Sequence, residues 1–212
     1  MSDDATETTP GSVPGVVFDF GGVLVDWDPF PAVAHGMGAD EARRFFAEFD
    51  FHTWNLGPDG GQSWDDAQAE LVATRPEFAE HGAAYRTHFR HALVGEIPGT
   101  ADILRELHAA GTPLIGLTNW SDELYHAHAP QRFEFLALFD DVIVSGTESL
   151  AKPDPAIYRL VEERTGTPLS RWVFVDDRAD NVAAARELGM DGIVFTDAET
   201  LRRELRGRGL PV

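Results

Sequence analysis

The chain of 212 residues contains no cysteine, which removes disulfides, thiolate-bound metals and a cysteine nucleophile from consideration. Any metal held here must sit on oxygen or on histidine nitrogen. Lysine is nearly absent as well: of 17 basic residues only Lys152 is a lysine, and the rest are arginines. In a chain so biased toward arginine, one lysine points to a position that needs a compact ammonium where the planar guanidinium would not fit. No run approaches the roughly 18 apolar residues of a membrane span, and the first residues lack the basic-then-apolar order of a signal peptide. A cytoplasmic protein with no membrane partner is expected. Basic charge is scarce overall, since the formal net charge is −19. That balance repels a phosphate backbone, so nucleic acid is not an expected partner, and an anionic substrate would need local cationic help.

What is present reads as one sizeable core with room for a smaller lobe, 43% of residues being hydrophobic and 25% charged. Residues 1–14 (MSDDATETTPGSVP) are small, polar and punctuated by proline and glycine, and are predicted to be a disordered tail. From there, short apolar runs alternate with helical periodicity. Val16–Phe20, Pro113–Leu117, Val142–Val144, Trp172–Val175 and Gly192–Phe195 read as buried strands. Thr100–Ala110, Pro155–Thr165 and Ala179–Leu188 read as helices, with Asp154 as an N-cap ahead of a proline at the first helical position. The alternation predicts an α/β fold, a Rossmann-like doubly wound parallel sheet whose ligand crevice lies at the carboxyl ends of the strands. One stretch breaks it. Phe30 to Leu93 has no buried strand and reads as amphipathic helices, Ser63 opening one of them in a capping-box pattern, and Leu56–Gly61 as a glycine-rich loop. The expected organisation is a catalytic core at 15–29 and 94–212 with a helical cap at 30–93 inserted after the first strand.

Four chemical signals follow predicted strands. Asp19 ends the first, followed by Gly21 and Gly22, whose backbone would allow close approach of a ligand or a positive φ. Thr118 and Asn119 end the second with a hydroxyl and an amide. Lys152 stands ahead of a helix, placed to neutralise both a phosphate and an attacking carboxylate. Asp176 and Asp177 are adjacent acids, which repel one another unless a hard divalent cation lies between them. Each signal alone is ordinary, a strand-ending turn or a cap; their order of acid, hydroxyl, lysine and acid pair is specific.

In these motifs the chain resembles the haloacid dehalogenase superfamily from Val16 to the C-terminus. The stretches Asp19-Phe20-Gly21-Gly22-Val23 and Asp176-Asp177-Arg178-Ala179-Asp180-Asn181 are most similar to a sugar-phosphate phosphatase branch acting on glucose 1-phosphate. The resemblance implies a phosphoric monoester hydrolase requiring Mg²⁺ and taking a small phosphomonoester. Asp19 would attack phosphorus, and Thr118 and Lys152 would hold the transferring group. Gly22 and Asn119 would assist in binding, while Asp19, the Gly21 carbonyl, Asp176 and Asp177 would serve the metal. One departure matters: most phosphatases of the superfamily carry a second aspartate, acting as general acid and base, where Gly21 stands. Such catalysis typically contributes about 10²–10⁴ in rate. Without it a good leaving group is favoured, or Asp26, Asp28 or His52 supplies the proton. The rival readings are a metal-free haloacid dehalogenase, which the acid pair argues against, and a non-catalytic binding protein on the same fold. The spacing of the histidines gives no ligand cluster, and packing is the expected role of Trp27 and Trp64, with Trp54 or Trp120 as candidates to touch substrate. Nothing in the sequence fixes the oligomeric state.

Overall fold

The computed structural model describes residues 15–212; the tail expected at residues 1–14 lies outside them. The strands are β1 (Gly15–Phe18), β2 (Val25–Trp27), β3 (Leu93–Glu96), β4 (Leu114–Thr118), β5 (Asp141–Val144), β6 (Trp172–Asp176) and β7 (Asp191–Val194). The helices between β2 and β3 are α1 (Phe30–Met37), α2 (Ala39–Glu48), α3 (Phe51–Asp59), α4 (Trp64–Thr74) and α5 (Ala79–Thr87). The later ones are α6 (Thr100–Ala109), α7 (Asp122–Arg132), α8 (Ser145–Glu148), α9 (Pro155–Thr165), α10 (Ala179–Glu187) and α11 (Ala198–Gly207). Among the described residues no helix is long and apolar enough to cross a membrane.

Five strands form one parallel sheet in the order β5-β4-β1-β6-β7. Strands covered on both faces bury successive side chains in opposite directions. Val16 and Phe18 join the core shared with the inserted helices, whereas Val17 packs with Ile115, Leu117 and Phe174 on the opposite face. Each such fully buried side chain contributes roughly 1.5–3 kcal/mol. The chain leaves β1 toward β4 on one side and returns to β6 on the other, so the strand order reverses at β1. This is where a crevice opens at the strand ends.

The five strands of the sheet lie within one or two residues of their predicted bounds, and α9 matches its prediction, with the Asp154 carboxylate accepting from the Ala156 amide. Two findings differ. The short antiparallel pair β2–β3 frames the inserted helices and was not expected, because these strands are too short and too exposed to leave a buried apolar run. The expected loop Leu56–Gly61 is instead helical through Asp59. Phe51, Asn55 and Pro58 are buried at helical spacing, and this packed stripe overrides the turn chemistry of Gly57 and Pro58.

The inserted helices are tied to the sheet domain at the start of α7. Trp64 Nε1 donates to Ser121 Oγ at 3.0 Å. Arg86 grips both Glu123 carboxylate oxygens at 2.7 and 2.6 Å and reaches Asp65 at 2.7 Å.

Candidate active site

The carboxyl ends of β1, β4 and β6 are neighbours, and the residues that follow them converge. Lys152 Nζ lies 2.8 Å from Asp19 Oδ1 and 2.7 Å from Asp176 Oδ2, and donates to the Leu117 carbonyl at 2.9 Å. With three oxygen atoms within 2.9 Å and 5% exposure, the ammonium fills a nearly closed niche that a wider, planar guanidinium would not fit. Its backbone is held by Asn119, whose side chain donates to the Lys152 carbonyl and accepts from the Lys152 amide.

Asp176 is fully buried. Besides Lys152 its carboxylate accepts from Asn181 Nδ2 at 3.0 and 3.1 Å and from the Arg178 amide at 2.8 Å. A buried carboxylate needs such donors to offset the loss of water around it. Asn181, on the first turn of α10, was given no role by the sequence reading; its signal is its place five residues after Asp176, which carries its amide back over the strand end.

Asp19 is also buried, and its Oδ1 accepts from the Phe20 amide at 2.6 Å as well as meeting Lys152. Burial pushes the Asp19 carboxyl up, the Lys152 ammonium pulls it back, and the charge of Asp176 adds to the rise. Lys152 is itself raised: burial opposes its charge, but the two carboxylates outweigh that opposition. Asp177, more exposed, is raised by burial and by the charge of Asp176. One oxygen from each of Asp19, Asp176 and Asp177 lies within 4.8 Å of the others. Three carboxylates facing a single ammonium leave an excess of negative charge on an all-oxygen donor set, which fits a hard divalent cation.

The two glycines differ. Gly22 has φ +72°, and a Cβ there would lie 2.4 Å from Asp177 Oδ2, so only glycine fits beneath that carboxylate. The positive φ considered for Gly21 belongs to Gly22: Gly21 is not in the left-handed region, and nothing lies within 4 Å of where its Cβ would be.

Gly21 opens onto a cavity of about 80 Å³. Thr118, Asn119, Trp120 and Ser121 line it from the sheet side; Trp27, Asn55, Asp59, Tyr85 and Phe89 line it from β2 and the inserted helices. Two buried polar atoms on these walls, Asn55 Oδ1 and Trp120 Nε1, have no hydrogen-bond partner among the described residues. Asp59 accepts from Asn55 Nδ2 at 2.8 Å and from the backbone N–H of Ser121. Burial nevertheless raises its carboxyl to about 7. Tyr85 is pushed well above the usual phenol range by burial and by the charge of Asp59. By contrast Asp26, Asp28 and His52 are exposed and none of them lines the cavity. Trp54 packs on Phe49, Phe51 and Trp64 and donates to the Ala67 carbonyl, whereas Trp120 reaches the cavity.

The pattern of the haloacid dehalogenase-like hydrolases matches residues 13–189. A sesquiterpene phosphatase of Aspergillus oryzae is 28% identical over 192 residues, covering 90% of this chain and 93% of that protein. A phosphoglycolate phosphatase of Pseudomonas fluorescens is 30% identical over 195 residues, covering 85% of this chain and 69% of that protein. Among solved structures, a family enzyme from Bacteroides thetaiotaomicron in complex with magnesium and inorganic phosphate superposes with a TM-score of 0.69 at 19% identity, covering 88% of this chain and 96% of that one. Fold, motif order and sequence agree, and the chain belongs to the haloacid dehalogenase-like hydrolases.

Proposed function

We propose that the protein is a magnesium-dependent phosphatase that hydrolyses a small phosphomonoester through an aspartyl phosphate on Asp19, under a cap formed by residues 30–93. The observation that carries this reading is the position of Lys152 Nζ, within 2.8 Å of Asp19 and 2.7 Å of Asp176 at a strand end shared with Thr118. Phosphoryl transfer needs an in-line nucleophile and neutralisation of the equatorial oxygens more than it needs covalent chemistry from the protein.

Asp19 Oδ1 is engaged by Lys152 and the Phe20 amide, which fixes the carboxylate and leaves Oδ2 to face phosphorus. The Lys152 ammonium and the Thr118 hydroxyl hold the transferring group, and Asn119 and Asp176 keep the lysine in place. Asp19, Asp177 and the Gly21 carbonyl would hold the magnesium ion, with Asp176 beside it. When bound, the cation would offset the charge of the carboxylates and of the phosphoryl oxygens. The acid pair is better suited to that ion than to metal-free displacement of halide, and a binding protein would have no use for a nucleophile locked to a buried lysine.

The leaving group would occupy the cavity beside Gly21. A sugar, as the motif likeness suggests, would meet Asn55 Oδ1, Trp120 Nε1 and Ser121 between aromatic faces. A second reading is favoured by the walls themselves: Val25, Trp27, Phe89 and Leu124 suit an apolar alcohol, in keeping with a relative named as a sesquiterpene phosphatase over nearly its whole length. Phosphate release from hexose phosphates, short alkyl phosphates and prenyl monophosphates, each with magnesium and with chelator, tests both. Magnesium-dependent release is the expected result, and release unaffected by chelator, or none from any ester, overturns the proposal.

A further inference from the structure

We infer that Asp59 is the acid and base of this site, supplying from the inserted helices the carboxyl group that Gly21 lacks. The inference rests on the phosphatase reading.

Gly21 and Asp59 line the same cavity, and nothing lies within 4 Å of where a Cβ at Gly21 would be. Asp59 is the one carboxyl among the cavity's lining residues; the other titratable group there, Tyr85, keeps its proton throughout the neutral range. Two donors hold the Asp59 carboxyl, Asn55 Nδ2 from its own helix and the Ser121 amide from the sheet side, so its direction is set from both layers. Trp27, Phe89 and Leu124 limit water around it, and burial keeps its proton available near neutrality. The unpartnered Asn55 Oδ1 and Trp120 Nε1 on the same walls are an acceptor and a donor site, respectively, that a polar ligand would complete.

In the first half of the reaction an Asp19 oxygen bonds to phosphorus as the bond from phosphorus to the leaving oxygen breaks. The Asp59 proton passes to that oxygen, giving a neutral alcohol and an Asp59 carboxylate. In the second half a water oxygen bonds to phosphorus as the bond to Asp19 breaks. The water proton passes to Asp59, and orthophosphate leaves with the acid restored.

The test is Asp59→Asn in rapid-quench kinetics with magnesium, comparing 4-nitrophenyl phosphate with a primary alkyl phosphate. The aryl ester needs no acid, so one equivalent of nitrophenol should appear in a burst slowed less than about tenfold, followed by turnover slowed at least ~100-fold. The alkyl ester should give no burst, with kcat/KM lowered at least ~100-fold. Unchanged kcat/KM for the alkyl ester overturns the inference, and so does loss of the aryl burst, which would mark Asp59 as structural. A measurement on the wild type is independent of folding of the variant: kcat/KM for the alkyl ester should fall as pH rises through about 7, while that for the aryl ester does not. Identical profiles overturn it. A wild type that releases no phosphate and forms no phosphoenzyme refutes the parent reading, whereas a phosphoenzyme with an unimpaired Asp59→Asn variant refutes Asp59 alone.

Discussion

Asn119 and Lys152 clasp one another: Asn119 Nδ2 donates to the Lys152 carbonyl at 2.9 Å, and the Lys152 amide donates to Asn119 Oδ1 at 2.8 Å. Both ends of the amide are thus occupied in fixing the segment from which the ammonium reaches Asp19 and Asp176. Lys152→Arg keeps the charge but not the shape, and should lower the rate at least about tenfold, or ~1.4 kcal/mol of barrier. It should also lower the melting temperature, because the wider group must fit a nearly closed niche. Steady-state kinetics with thermal melts check both, and an unimpaired variant would mean that the lysine is there by chance.

Asp19→Asn should abolish turnover with little change in the melt, since the amide retains a group for the Phe20 N–H to meet but cannot attack phosphorus. Circular dichroism and phosphate release read the two halves of this expectation. Residual activity of the wild-type order would exclude the covalent route.

Gly22→Ala and Gly21→Ala should part company. The first places a Cβ 2.4 Å from Asp177 Oδ2 at φ +72°, so it must displace that carboxylate; the second meets nothing within 4 Å. Titrating magnesium against activity should show a sharply raised requirement for Gly22→Ala, mirrored by Asp177→Asn, and a small change for Gly21→Ala. Equal behaviour of the two alanine variants would remove the argument that Gly22 serves Asp177.

Asp59 carries a pH signature in stability. Its folded value of about 7 lies above the ordinary aspartate value of 3.8, so the folded state holds a proton that the unfolded chain gives up first. Its contribution is therefore lost as pH rises from about 4 to about 7 and is level above that. Asp59→Asn cannot lose this proton. The difference in melting temperature, variant minus wild type, should grow across that interval by at least ~2 °C, the effect of somewhat under 1 kcal/mol in a chain of this size. A difference that stays constant with pH would show that the carboxyl is not buried as described.

Because the space at Gly21 is open and its φ ordinary, an aspartate should be accommodated there. Gly21→Asp placed in the Asp59→Asn background should restore at least about tenfold of the lost kcat/KM for alkyl phosphates while changing the aryl ester less. Failure to restore, in a variant with a normal melt and normal magnesium dependence, would mean that the two positions do not serve one proton.

How much of this was legible in the sequence follows from what fixes each part. The sheet could be read because β1, β4 and β6 are buried on both faces, leaving continuous apolar runs, and Asp19, Thr118 and Asp176 could be read because they end those runs. The β2–β3 pair could not, being short and half exposed, with Asp26 and Val94 facing solvent. Asp59 was missed for another reason. Its position comes from a contact across the chain, Ser121 holding it from a distant segment, and local pattern carries no trace of such a partner. Asp59 was further disguised by Gly57 and Pro58, whose turn chemistry is overruled only when Phe51 and Asn55 pack in the core.

The scarcity of lysine has a practical consequence. Lys152 is the chain's one lysine, and its Nζ touches Asp19, Asp176 and the Leu117 carbonyl together. Protein grown on ¹⁵N-lysine would therefore carry a single labelled side chain, and its ammonium resonance would report from the centre of the pocket alone. Formation and decay of the proposed acylphosphate could be followed on that one signal, with no assignment problem and no mutation.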